Sequence, residues 1–155
     1  MEKLLTLRFL AEPSDVNFGG KVHGGAVMKW IDQAGYACAV NWCGGYAVTV
    51  YVGGIQFLAP IHIGDIVEVN ARMIHTGETS MHIAVDVYSK RPESAEYRHN
   101  THCVIIFVAM DEKGQPKKVP AYTADSDEEK NLQHYAMRLM ELRKGISHEM
   151  NLRKS

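Results

Sequence analysis

The chain has 155 residues, 46% of them hydrophobic and 23% charged, and a formal net charge of -1. That is the size of one domain with its own core, and it lacks the broad basic surface that a nucleic-acid polymer requires. Cys38, Cys43 and Cys103 have no CxxC spacing and sit in apolar runs, which argues against a disulfide framework or a zinc site and for reduced core thiols.

In chain order, LLTLRFLAEP (4–13) is a strand closed by Pro13, and SDVNFGGKVHGG (14–25), with four glycines, is a tight loop. Its N-terminal charges at positions 2, 3 and 8 break any signal-peptide core, and no stretch approaches membrane-spanning length, so a cytoplasmic protein with no membrane partner is expected. From Ala26 to about Trp42 the apolar residues Val27, Ile31, Ala34 and Cys38 recur at helical spacing. Met28, Trp30, Ala37 and Val40 fill the other sides, and Ala34, Gly35 and Ala37 keep the middle thin, so this is a central helix lying close against a sheet.

After CGG (43–45) the period becomes two. Residues 46–60, 65–75, 79–90 and 97–110 are rich in β-branched and aromatic side chains and separated by short turns, which predicts four mostly long antiparallel strands. In the 65–75 strand, Val67, Val69, Ala71 and Met73 alternate with Ile66, Glu68, Asn70 and Arg72, giving one dry and one partly wet face. DEKGQPKKVPAY is an exit segment. From Asp125 to Ser155 an acidic DSDEE start and Arg138, Arg143 and Lys144 toward the end match a helix macrodipole. Leu132, Tyr135, Leu139, Leu142 and Ile146 form a short seam expected to pack on its own domain or on a neighbouring subunit. The fold class is α+β: a five-stranded antiparallel sheet wrapped around one central helix, with a C-terminal helix. The domain is expected to span 1–122 and the helical extension 123–155. An open sheet leaves edges, so self-association through the 46–59 strand is expected.

The eight histidines are scattered and read as surface or polar-face residues. His99 and His102, three apart on a strand, are expected on opposite faces and unable to share a metal. No GxSxG, HExxH, GxGxxG or P-loop occurs, so no metal site is expected. What remains is Asn17, Gly24, Gly25 and Asp32. A helix N-terminus has free N–H groups, and glycine lets a carbonyl approach them. Asp32 lies seven residues past Gly25, about 10 Å further along the same helix, so it does not reach the same carbonyl unless a second copy packs antiparallel across a two-fold axis. Otherwise Asp32 faces water or pairs with Lys29 or Arg72.

PSDVNFGGKVHGG, MKWIDQAG, TVYVGGIQFLAPIHIGDIVEVNARMIHTGETSM and FVAMDEKGQPKKVP, in that order over residues 4–122, resemble the hot-dog-fold acyl-CoA thioesterases, specifically the short bacterial relatives of the brain-type acyl-CoA hydrolase. The resemblance implies a hot-dog fold, a homodimer through edge strands, hexamers built as a trimer of dimers, and acyl-CoA as substrate, with coenzyme A part of the substrate and no cofactor required. It implies that Asp32 is the catalytic carboxylate, Asn17 its partner across the dimer, and Thr49 a hydroxyl near the site; for such a substrate the helix start makes Gly25 (or Gly24) N–H the expected donor to the thioester oxygen. Gly53 and Gly54 depart from the commoner polar residue there, which bears on the acyl pocket. Lys90, Arg91 and Arg98 are the candidate cations for the coenzyme A phosphates. Two other readings are a hot-dog hydroxyacyl-thioester dehydratase, whose catalytic His the neighbourhood of Asp32 lacks, and a non-catalytic acyl-CoA-binding sensor.

Overall fold

A computed structural model describes residues 2–154. The alternating runs form β1 (Leu4–Leu10), β2 (Ala47–Phe57), β3 (Ile66–Thr76), β4 (Ser80–Lys90) and β5 (Arg98–Ala109), all antiparallel in the order β1-β3-β4-β5-β2. The sheet wraps α1 (Gly24–Cys43), and α2 (Asp127–Leu152) covers part of its outer face. β1 and β2 are the edges, as expected for the 46–59 strand.

Period two explains the layering. Val67, Val69, Ala71 and Met73 of β3, Met81, Ile83, Val85 and Val87 of β4, and Cys103, Ile105 and Phe107 of β5 are fully buried against Val27, Ile31, Ala34 and Cys38 of α1. At Gly35 helix and sheet approach closely: a Cβ there would stand 3.0 Å from the Phe107 ring. Phe9 of β1 meets Trp30 edge to ring, with centroids 4.9 Å apart. Beyond α1, Gly44 adopts φ 70°, the left-handed conformation that ends the helix and turns the chain into β2.

Several expectations shift at element ends. β1 stops at Leu10, because Ala11 N–H bonds to the Asp65 carbonyl and Pro13 opens a 3-10 turn over Pro13–Asp15. α1 begins two residues early, at Gly24, because the His23 imidazole caps it: Nδ1 accepts from Ala26 N–H at 3.1 Å. α2 starts at Asp127 with Ser126 as its cap and Asp127, Glu128 and Glu129 in its first turn. It then runs on to Leu152, so Arg138, Arg143 and Lys144 lie in its body and no basic residue occupies the last turn; the C-terminal half of the dipole match does not hold.

The outer face of the sheet owes its character to bulges. Alternation turns Ile74 outward, where it packs with Ala84 and Val104 under Leu132, Tyr135, Ala136 and Leu139 of α2, and a bulge between Met73 and His75 puts His75 on the same face, opposite His82. Only the first half of the seam is used this way; Leu142 remains 64% exposed. Lys3 fastens the helix start to β1 by ion pairs to Asp125 and Glu129 at 2.9 and 2.8 Å. His99 and His102 do not take the opposite faces expected of them. A bulge at Asn100 shifts the parity of β5, so both rings lie on the outer face and share Asp86 Oδ1, each at 2.8 Å, while His102 Nε2 meets the Tyr135 hydroxyl at 2.7 Å. They meet at a carboxylate; among the described residues no group of three or more His, Cys, Asp or Glu is placed to hold a metal ion.

His82 lies under α2 with its ring against His75, and burial, with a smaller push from the charges of His75 and Arg143, lowers its pKa from 6.5 to about 4. An unfolded chain takes up this proton at a higher pH than the folded one. Stability is therefore expected to fall as pH drops from 6.5 toward 4, by up to about 3 kcal/mol, with His75 acting in the same direction. Melting curves of wild type and His82→Leu across this range check it: the variant's slope should be shallower, and an unchanged slope rejects the assignment.

Candidate active site

The Gly-rich loop is a built turn. Asn17 Oδ1 accepts from the N–H groups of Gly19 and Lys21 at 2.9 and 3.3 Å, and Gly20 adopts φ 78°, which its missing Cβ permits. Bridges between Val16 and Val22 and between Lys21 and His62 lay the loop on the segment before β3. The turn consumes the Asn17 carbonyl oxygen and leaves its Nδ2 without a partner among the described residues.

The loop delivers the chain to the start of α1. His23 N–H bonds to the Asp15 carbonyl, and the His23 ring and carbonyl take up Ala26 N–H, while Val27 N–H is also given to the His23 carbonyl. The amides of Gly24 and Gly25 have no partner among the described residues, and both residues are exposed. A side chain at Gly25 would press on the His23 imidazole at 3.1 Å, and one at Gly24 would touch the Phe57 ring at 3.5 Å. Two free N–H groups at the positive end of a 20-residue helix form an acceptor-binding corner.

Asp32 sits two turns on, exposed, and its Oδ1 accepts from the Thr49 hydroxyl at 3.0 Å. Thr49 faces α1 because it stands opposite Phe107 in the register of β2 with β5. A bulge immediately after it sends Tyr51 to the outer face. The pairing of Asp32 with Arg72 left open above does not occur: Arg72 reaches Glu128 at 2.8 Å. Nor do any of the ion pairs among the described residues join Lys29 to Asp32. Within one chain the structure brings Asp32 and Thr49 together and places Asn17, Gly24 and Gly25 around the helix start, but it does not join the two groups. Asp32 lies on the α1 surface beside the β2 edge, where Val50 and Val52 are exposed.

Lys90, Arg91 and Arg98 converge. They line one cavity of about 230 Å³ with His62, Ser89, Ser94 and Glu96, beside the segment that carries the Gly-rich loop. Lys90 Nζ bonds to the Ser94 carbonyl, Arg98 to the Pro60 carbonyl, and Arg91 approaches the buried Asp65 at 3.5 Å. Gly53 and Gly54, by contrast, line a cavity on the other side of the sheet. Sequence reasoning missed the capping role of His23, whose one signal is its place directly before the helix.

A family model described as the thioesterase superfamily matches residues 19–96. The acyl-CoA thioester hydrolase YciA of Salmonella typhimurium is 38% identical over 120 residues, 75% of this chain and 90% of that protein. A crystal structure of an apo-hexameric acyl-CoA thioesterase superimposes with a TM-score of 0.89 at 31% identity, covering 93% of this chain and 92% of that one. An acyl-CoA hydrolase of Staphylococcus aureus, solved with butyryl coenzyme A and coenzyme A, does so with a TM-score of 0.88 at 28% identity over 96% of this chain and 91% of that one. The same hydrolase has been solved with an asparagine, an aspartate or a threonine replaced by alanine. Those three positions are separated by 15 and 17 residues, the separations of Asn17, Asp32 and Thr49 here.

Proposed function

This chain belongs to the thioesterase superfamily, and from that premise we propose that it hydrolyses acyl-CoA to a carboxylic acid and coenzyme A in a site shared between two subunits. It is an acyl-CoA thioester hydrolase with a hot-dog fold that assembles as a trimer of dimers. The observation that carries the shared site is the separation within one chain of the free N–H groups of Gly24 and Gly25 from Asp32, which stands at the exposed β2 edge. Pairing β2 with its copy covers that edge and brings the two α1 helices alongside each other, so that each helix start meets Asp32 of the partner subunit. The spacing shared with the three substituted positions of the S. aureus hydrolase supports the assignment of Asn17, Asp32 and Thr49.

The thioester oxygen accepts from Gly25 N–H, with Gly24 N–H as the second donor, and the helix start stabilises the negative charge that develops there, about 3 kcal/mol per donor. The Thr49 hydroxyl donates a hydrogen bond to Asp32 Oδ1 and holds the carboxylate in one orientation, leaving Oδ2 for the reaction. Asp32 of the partner subunit either takes a proton from a water held by the Asn17 amide or attacks the carbonyl carbon to give a mixed anhydride that water then opens. In both routes the C–S bond breaks and coenzyme A leaves as thiolate. Lys90, Arg91 and Arg98 bind its phosphates.

Subunit mixing tests the shared site. Asn17→Asp keeps the oxygen that holds the turn and loses the amide donor; with Asp32→Asn it gives two variants, each inactive alone. In mixed dimers one of the two sites draws both native groups, so random exchange should restore about one quarter of wild-type sites. No recovery in verified mixed dimers excludes the shared site. Acyl-CoA bound without release of a free thiol would instead favour the sensor reading.

A further inference from the structure

The sheet separates the α1 site from a second cavity, about 300 Å³ in volume, between α2 and the outer face of β2, β4 and β5. Its walls are apolar: Leu139, Leu142 and Ile146 from the helix, Val104 and Ile106 from β5. The glycines at 53 and 54 make room for it, since the register of β2 slips between Gly53 and Gln56 and neither glycine fills the space with a side chain.

Two basic side chains of this chamber, though in contact with rings, have no hydrogen-bond or ion-pair partner among the described residues. His82 is 3% exposed, lines the cavity, and has no hydrogen-bond partner among the described residues. Arg143 forms no ion pair among the described residues; its guanidinium lies over the Tyr51 ring at 4.4 Å and near enough for its charge to bear on His82. Of the other polar lining, His102 and Tyr135 are bonded to each other, and Gln56 and the Tyr51 hydroxyl add neutral groups with no charge to offer an anion. Unpaired donors in a largely apolar chamber call for an acceptor that carries negative charge and a hydrocarbon tail. The volume is at the lower end of the range for small-molecule sites, about 300–1,000 Å³.

We propose that this cavity binds a straight-chain aliphatic monocarboxylate, its carboxylate held by Arg143 and His82 and its tail between α2 and β5. The site stands on its own chemistry and goes beyond the hydrolytic reading, although it admits the class of acid that the hydrolysis releases.

Calorimetric titration of the full chain with octanoate, in saturating S-octyl coenzyme A, a thioether that fills both the coenzyme A and the acyl parts of the hydrolytic site without being cleaved, is the test. One octanoate is expected per chain, with affinity about tenfold weaker in Arg143→Gln, largely kept in Arg143→Lys, and lost in Leu139→Trp, which fills the chamber. Circular dichroism and melting temperature confirm that each variant is folded, and 1-octanol, with the tail but not the charge, should bind at least about tenfold more weakly than octanoate. Absence of binding, equal binding of octanol, or octanoate affinity unchanged in Arg143→Gln overturns the proposal. A neighbouring copy's helix seated in the chamber would appear as the first of these.

Discussion

Asp32→Asn is expected to lower kcat for acyl-CoA hydrolysis by about 10³-fold, with KM, oligomeric state and melting temperature near those of wild type. The amide keeps an oxygen for the Thr49 hydroxyl, so the side chain stays in place. It lacks the negative charge that either activates water or attacks the carbonyl. Asp32 is exposed within the protomer and makes no ion pair among the described residues, so folding loses little. Stopped assays with a thiol reagent measure the change directly. Turnover within about tenfold of wild type would remove Asp32 from the chemistry, since loss of a general base or nucleophile costs about 10²-fold or more.

Gly35→Leu is expected to have the largest effect on stability, a loss of about 4 kcal/mol. A Cβ at this position already stands 3.0 and 3.2 Å from two atoms of the Phe107 ring and 3.8 Å from Ile105, and Phe107 is fully buried, so the ring has little room to yield. Gly35→Ala makes a useful control. It gains helix propensity of up to about 1 kcal/mol and needs only a small shift of the ring, so its net change should be much smaller. Thermal melts separate the two: a drop of roughly 10 °C or more is expected for the leucine. If Gly35→Leu melted with wild type, the close approach of α1 to β5 could not be what holds the wrap of the sheet.

The two predictions draw on different parts of the chain's legibility. The thin stripe Ala34, Gly35 and Ala37 is visible as sequence because helix periodicity is local, and the facing strands are visible because alternation is local too. The Asp32 to Thr49 contact joins residues 17 apart on different elements, and its register depends on β2 lying opposite β5. Only the family resemblance pointed to Thr49. The three cations stand out in sequence by residue type and by their place around the last two strands, and the structure gathers them at one cavity because β4 and β5 are antiparallel and their connecting segment folds over the end of the sheet.

Bulges mark where strict alternation failed. One residue inserted at Asn100 reverses the face of His99 relative to a regular strand, and another after Thr49 sends Tyr51 outward. Nothing in either stretch announces an inserted residue, because the insertion is set by partner strands and by groups such as the Asn100 amide, which donates to the carbonyls of Ala59 and Pro60. The end of α2 is similar: charge pattern described a helix, but where it rests depends on the outer face of a sheet that forms elsewhere.

Sequence by itself determined the number and kind of elements, the buried stripe of α1, the dry face of β3, and the residues with chemistry to offer, because periodicity, capping and side-chain chemistry act within a few residues. Tertiary structure alone decided which of those residues meet: Thr49 beside Asp32, the cations in one cavity, two histidines on one carboxylate, and His82 and Arg143 at one cavity between α2 and the sheet. Such meetings are fixed by strand register and by the face a side chain takes, and one inserted residue changes both.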